Sequence, residues 1–234
     1  MSAQDDAAAT TMVLDLLKVS SIREIGFNLG DISIQPAMYE KISQAIVDKK
    51  ITVLIAPSML ASNEAGKYFS VLTIDKDTEF YDVLVLRTPD LGSGANEQFH
   101  RAEAIVHECT HAGLDLLKVP NMTHTQHEAC AYVAQSIFAI AKMLAIRGDP
   151  SKVRLTEPIE IAAWELALLQ IKSKADAGTR SAAYWVSPDF AVVWAEARNK
   201  LYVAIMNSDT YKAVAKNKVN NDGVGRQWKL PSRR

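Results

Sequence analysis

The sequence predicts an α+β fold: a small N-terminal β-sheet packed on one long helix, followed by a mainly α-helical C-terminal half. Three observations lead there. Three runs rich in Val, Ile, Leu and Tyr lie between residues 51 and 87, each bounded by turn residues. A long amphipathic pattern then covers 97–117. From 128 to 206 the apolar residues recur at helical spacing, interrupted by Gly and Pro. With 234 residues, 48% of them hydrophobic and 23% charged, the chain can bury a full core as one large domain or as two lobes around a cleft.

Taken in order, residues 1–10 carry Asp5 and Asp6 and no apolar run, and are expected to be disordered. One domain is then expected over 11–218, with an α/β lobe at 11–118, a helical lobe at 119–218, and a basic flexible tail at 219–234. Met12, Val13, Leu16 and Leu17 give a helical pattern over 11–18, and Gly26 and Gly30 interrupt the chain after it. Ile32 and Ile34 alternate as a short strand does. Pro36 opens a helix through Met38, Ile42 and Ile46, and Lys49-Lys50 closes it with positive charge at the C-terminal end of the dipole.

The three β-type runs are 51–56, 68–74 and 81–87, punctuated by Pro57, Gly66 and the turn at 75–77. After a loop at 89–94, Asn96 is the expected N-cap of the long helix. In that helix Phe99, Ala102, Val106, Cys109, Gly113 and Leu116 form the core stripe, while His100, Glu103, His107 and His111 lie on a neighbouring face. Pro120 prevents much continuation. Helices are expected at 128–147, ended by Gly148-Asp149-Pro150, and at 157–174, with Ile161, Trp164, Leu168, Leu169 and Ile171 inward. A further helix at 188–206 carries Trp194, Leu201, Tyr202 and Ile205, and a last short one covers 210–216.

Composition removes several function classes. Lys plus Arg against Asp plus Glu is 26 − 27 = −1, so the chain is no general nucleic-acid binder. From Lys200 onward eight basic residues face only Asp209 and Asp222, the pattern of a solvated end. Cys109 and Cys130 make no disulfide framework and read as two buried thiols. No Sec-type signal is present and no stretch is expected to span a membrane, so a reducing cytoplasm is the default, with export lacking a cleavable signal left open.

The informative stretch is His107-Glu108-Cys109-Thr110-His111. Two histidines four apart stand one above the other on a helix face, close enough to share a metal ion. Zinc suits imidazole nitrogen and brings the pKa of its water to about 7. Glu108, about a quarter-turn away, is placed to act as general base toward that water. Five histidines in the whole chain make an accidental match uncommon. The plainer alternative is a hydrogen-bonded histidine pair on an amphipathic helix.

A catalytic zinc site usually has three protein ligands. Leu114 and Leu117 stand where a metzincin has Gly and His, which excludes that class. The next helix opens with His124-Thr125-Gln126-His127-Glu128, continuing into Ala129-Cys130-Ala131-Tyr132. A glutamate 128 − 111 = 17 positions after the second histidine resembles the gluzincin type of zinc metallopeptidase, over roughly residues 81–141. The upstream sheet likewise resembles the zincin N-terminal lobe, whose edge strand holds extended substrate. The resemblance implies one Zn2+ per chain held by His107, His111 and Glu128, with Glu108 as general base and proton shuttle, and a peptide or protein substrate. It also implies a Tyr or His near the oxyanion, for which Tyr132, Tyr184 and Tyr202 are available. His127 stands where the family has Asn before the ligand glutamate.

Other readings stay open at this point. His124 and His127 compete with Glu128 as ligand, and Thr125-x-x-Glu128 is also a capping box, in which the glutamate satisfies backbone N–H groups. Glu108-x-x-His111 is also the element of di-iron bundles, but Glu97-x-x-His100 falls on the same helix, whereas such a site draws on different helices. A binding module with a vestigial motif would hold no tight metal.

Overall fold

A computed structural model describes residues 3–75, 78–176 and 187–224, and it has the expected α+β character. Tyr184 and the basic residues Arg226, Lys229, Arg233 and Arg234 lie outside the described residues. The chain divides into two compact units. The first takes the residues up to Ile22, Pro36–Pro120 and the stretch from Asn220; the second takes Arg23–Gln35 and Asn121–Val219.

In the first unit, helices α1 (Ala3–Leu16), α2 (Pro36–Val47) and α3 (Ala95–Leu116) accompany a three-stranded sheet. Its strands β3 (Thr52–Ile55), β4 (Gly66–Asp75) and β5 (Thr78–Leu86) lie in the order β3-β5-β4. β5 is central, parallel to β3 and antiparallel to β4. Val83 and Val85 pack with Ala56, Leu60 and Leu72, while Leu84 and Leu86, of opposite parity along the strand, are also buried. A strand buried on both faces reads as one continuous apolar run, which makes 81–87 legible as β.

The disorder expected for residues 1–10 is corrected, since α1 begins at Ala3. Ala7-Ala8-Ala9 is a strong helix former, and Asp5 and Asp6 favour the positive end of the dipole. Asp6 also accepts the Ile55 N–H at 2.8 Å, which ties the terminus to β3. At the other end, the expected free tail is docked where it starts. Gly223 N–H reaches Asp115 Oδ1 at 3.0 Å, and Asn221 Nδ2 donates to the Val119 carbonyl at 2.8 Å.

Helix α3 starts one residue before Asn96, with Gly94 as an N-cap that offers no side chain. It runs unbroken through Gly113, so that glycine serves close packing. A Cβ there would lie 2.6 Å from Met38 Sδ, so the Met38 side chain of α2 packs directly on this glycine.

The second unit holds a hairpin of β1 (Phe27–Leu29) and β2 (Ile32–Ile34), then α4 (His124–Ala145), α5 (Pro158–Ala175) and α6 (Pro188–Asn207). Gly30, at φ +63, makes the turn that only a glycine adopts cheaply. Trp194 Nε1 and Gln170 Nε2 donate to the Asn28 and Gly26 carbonyls and fasten the hairpin to α6 and α5. The inward face of α5 differs from expectation. Ile159, Ala162, Ala163, Leu166 and Ala167 are buried, whereas Ile161 and Leu168 are exposed, because small residues allow closer helix packing. Residues 210–216 form consecutive turns in place of a helix. α4 is long and apolar enough to cross a bilayer by length and composition only, and 61% of that window is buried.

Candidate metal centre

Helical geometry delivers the first two donors. His107 and His111 are buried on one face of α3, with their Nε2 atoms 3.2 Å apart and their rings nearly perpendicular at 81°. A tetrahedral zinc with Zn–N bonds of 2.0–2.1 Å needs nitrogens about 3.3 Å apart, so the pair matches that bite. Ligand atoms of His107, Glu108 and His111 all lie within 4.8 Å of one another, a group that can hold a metal ion. Between the histidines Thr110 donates to the Val106 carbonyl, and its hydroxyl pairs with Tyr39 of α2 at 2.8 Å. That buried contact fixes the rotation of the helix at this turn.

Glu108 is half-buried, and its Oε2 accepts the Tyr68 N–H of β4 at 2.8 Å. β4 is an edge of the sheet, so this amide points away from β5. Gly66 on the same strand packs closely on β5, since a Cβ there would lie 2.8 Å from Leu86 Cδ2 and 3.2 Å from the Val85 carbonyl oxygen. The Tyr68 phenol turns to a buried acid pair, donating to Asp115 Oδ2 at 2.9 Å and lying 3.3 Å from Asp82 Oδ1. Burial, then the charges of Asp115 and Asp82, drives the Tyr68 pKa far up, so the phenol stays a donor. Burial raises the Asp115 carboxyl, opposed by hydrogen bonds from Gly223 and Tyr68. Asp82 sits fully buried within β5 at φ +56, a left-handed conformation that costs a non-glycine residue about 1 kcal/mol or more.

Tyr68, Asp82 and Asp115 are not among the residues that sequence reasoning selects. A signal exists for two of them: Asp82 interrupts an apolar strand run, and Asp115 stands four residues beyond His111. The thiols behave as expected, with Cys109 and Cys130 fully buried and their pKa values raised by burial, hence inert. The other Glu-x-x-His of α3 is otherwise engaged: Glu97 pairs with Arg101, and the exposed His100 with Glu103 at 2.9 Å.

The remaining candidate, Glu128, lies in the second unit, buried in the second turn of α4. The capping-box alternative at Thr125 and Glu128 is corrected. The box is formed by Thr123 and Gln126, because the helix begins at His124. The first turn is completed by the Asn217 carbonyl on His124 N–H, the Ala215 carbonyl on Thr125 N–H and the Thr123 carbonyl on His127 N–H. The Glu128 carboxylate therefore has no capping duty.

Around Glu128 the second unit gathers a polar cluster. His124 Nδ1 is 3.8 Å from Glu128 Oε1, and Tyr211 hydrogen-bonds to both Glu128 and Tyr132, the phenolic oxygens being 3.1 Å apart. Burial, and after it the Glu128 charge, pushes the Tyr211 pKa far up. Of the tyrosines expected near the reaction, Tyr132 is in this cluster, while Tyr202 faces Arg198 and is pushed up to about 12 by burial. Tyr211, which no sequence pattern marks, is the addition. Comparisons with protein families, curated proteins and solved structures give no match for this chain.

Proposed function

We propose that the chain is a zinc-dependent peptidase, with His107 and His111 as metal ligands and Glu108 as general base. The observation that carries this reading is the 3.2 Å separation of the two buried Nε2 atoms, with the Glu108 carboxylate beside them. A bound zinc supplies a water of pKa about 7 and polarises the scissile carbonyl.

The chain's own residues supply the rest. His107 and His111 present their Nε2 lone pairs from a helix whose rotation is fixed by Thr110 and Tyr39. Glu108 is anchored through Oε2 by the Tyr68 amide, which leaves its other oxygen to take a proton from the attacking water and pass it to the leaving amine nitrogen. The exposed edge of β4 would align an extended peptide beside that carboxylate.

Chelation tests the reading. α3 has its own apolar stripe, including Ala102, Ile105, Val106 and Cys109, so the metal-free chain should keep its circular dichroism spectrum. Cleavage of an unfolded protein substrate should disappear with chelator and return with zinc. Zinc should also raise the melting temperature by mass action. Cleavage that persists after full metal removal, or collapse to a random coil, would be inconsistent with this account.

A further inference from the structure

We propose that Tyr68 is the positioning residue of Glu108, its phenol locked onto α3 so that its backbone amide holds the carboxylate beside the histidine pair; this rests on the reading of Glu108 as general base. All the groups involved belong to the first unit. Tyr68 is tied to α3 at two levels. Its N–H donates to Glu108 Oε2 at 2.8 Å, and its hydroxyl donates to Asp115 Oδ2 at 2.9 Å. Glu108 and Asp115 are 115 − 108 = 7 positions apart, about two helical turns, so both lie toward β4. β4 is an edge strand with β5 as its one sheet neighbour. The phenol supplies the second tether that fixes where the Tyr68 amide points.

The tether is itself held from two sides. Gly223 N–H donates to Asp115 Oδ1 at 3.0 Å, so each oxygen of that buried carboxylate has its own donor. Gly223, at φ +94, passes so close to α3 that a Cβ there would lie 2.5 Å from Lys118 Cε. From β5, the fully buried Asp82 turns to the same phenol at 3.3 Å from a left-handed φ of +56. Such strain persists only where the surroundings over-determine it, and it clusters at functional sites. A phenyl ring would fill this space without two buried carboxylates to desolvate. What the polar network adds is one fixed orientation.

The test compares Tyr68→Phe, Asp115→Ala and the double variant, each as the zinc-loaded full chain with its fold checked by circular dichroism. The readouts are hydrogen exchange of the residue-68 amide by nuclear magnetic resonance, zinc affinity, and kcat and KM for an unfolded protein substrate. Tyr68→Phe keeps both ring and amide. Its residue-68 amide should exchange at least about threefold faster, the scale of one lost hydrogen bond. Its kcat should fall about tenfold or more, toward the roughly hundredfold that an ångström of misplacement costs, with KM and zinc affinity near those of the wild type. Asp115→Ala removes the same bond from the α3 side and should reproduce these changes, and the double variant should be no worse than either single one. Exchange or kcat within about twofold of wild type in Tyr68→Phe, or in Asp115→Ala should Tyr68→Phe not fold, would overturn the positioning role and leave Glu108 as the base. Additive losses in the double variant would overturn it too. Absence of turnover in the wild type, or turnover that survives Glu108→Gln, would remove the general-base reading itself, and this inference with it.

Discussion

Glu108→Gln is expected to keep its metal and to lose hydrolysis of a cleaved peptide by at least about a hundredfold, the usual scale for removing a general base. The substitution is isosteric, and its amide oxygen can still accept the Tyr68 N–H that Glu108 Oε2 takes at 2.8 Å. Position on α3 and contact with β4 are therefore preserved. The loss is of the ability to take a proton and return it to the leaving nitrogen. Unchanged turnover in a metal-loaded Glu108→Gln protein would remove Glu108 from the mechanism.

The second large effect concerns binding. His107→Ala or His111→Ala each deletes one of two nitrogens that stand 3.2 Å apart, and zinc affinity should fall by more than the roughly hundredfold upper cost of losing an outer-shell partner. Both side chains are buried, but the apolar stripe of α3 does not include them, so the helix should remain folded. Chelator competition measures the loss. A simple N–H···N hydrogen bond between the rings makes the opposite forecast, with no metal in the wild type and none to lose in the variants.

These two effects rest on the part of the site that is legible in the sequence. A five-residue helical segment carries both histidines and the glutamate, and helix geometry alone brings them together. The fold is legible for the same reason wherever patterns are long. β5 ends in the apolar run Val83–Leu86 and α3 carries a sustained stripe, and the ends of both fall within a few residues of those the sequence predicts.

The hidden features depend on contacts between distant segments. β1 is three residues long and too short to show a period. The tie of the first residues to the sheet is hidden in the sequence because the Asp6 bond to Ile55 joins positions 49 apart. Tyr68 reaches Asp115 across 47 residues, and Tyr211 reaches Tyr132 across 79, so neither partner marks the other in the sequence. The inward face of α5 departs from its apolar pattern because size does not decide burial there. The alanines pack, and Ile161 and Leu168 are left outside.

The central claim is that His107 and His111 hold one zinc ion, and metal content tests it most directly. Protein purified without added metal should contain one zinc per chain by inductively coupled plasma mass spectrometry, and none after His107→Ala. Two irons per chain would favour the di-iron alternative, and no metal at all would contradict the account from its first step.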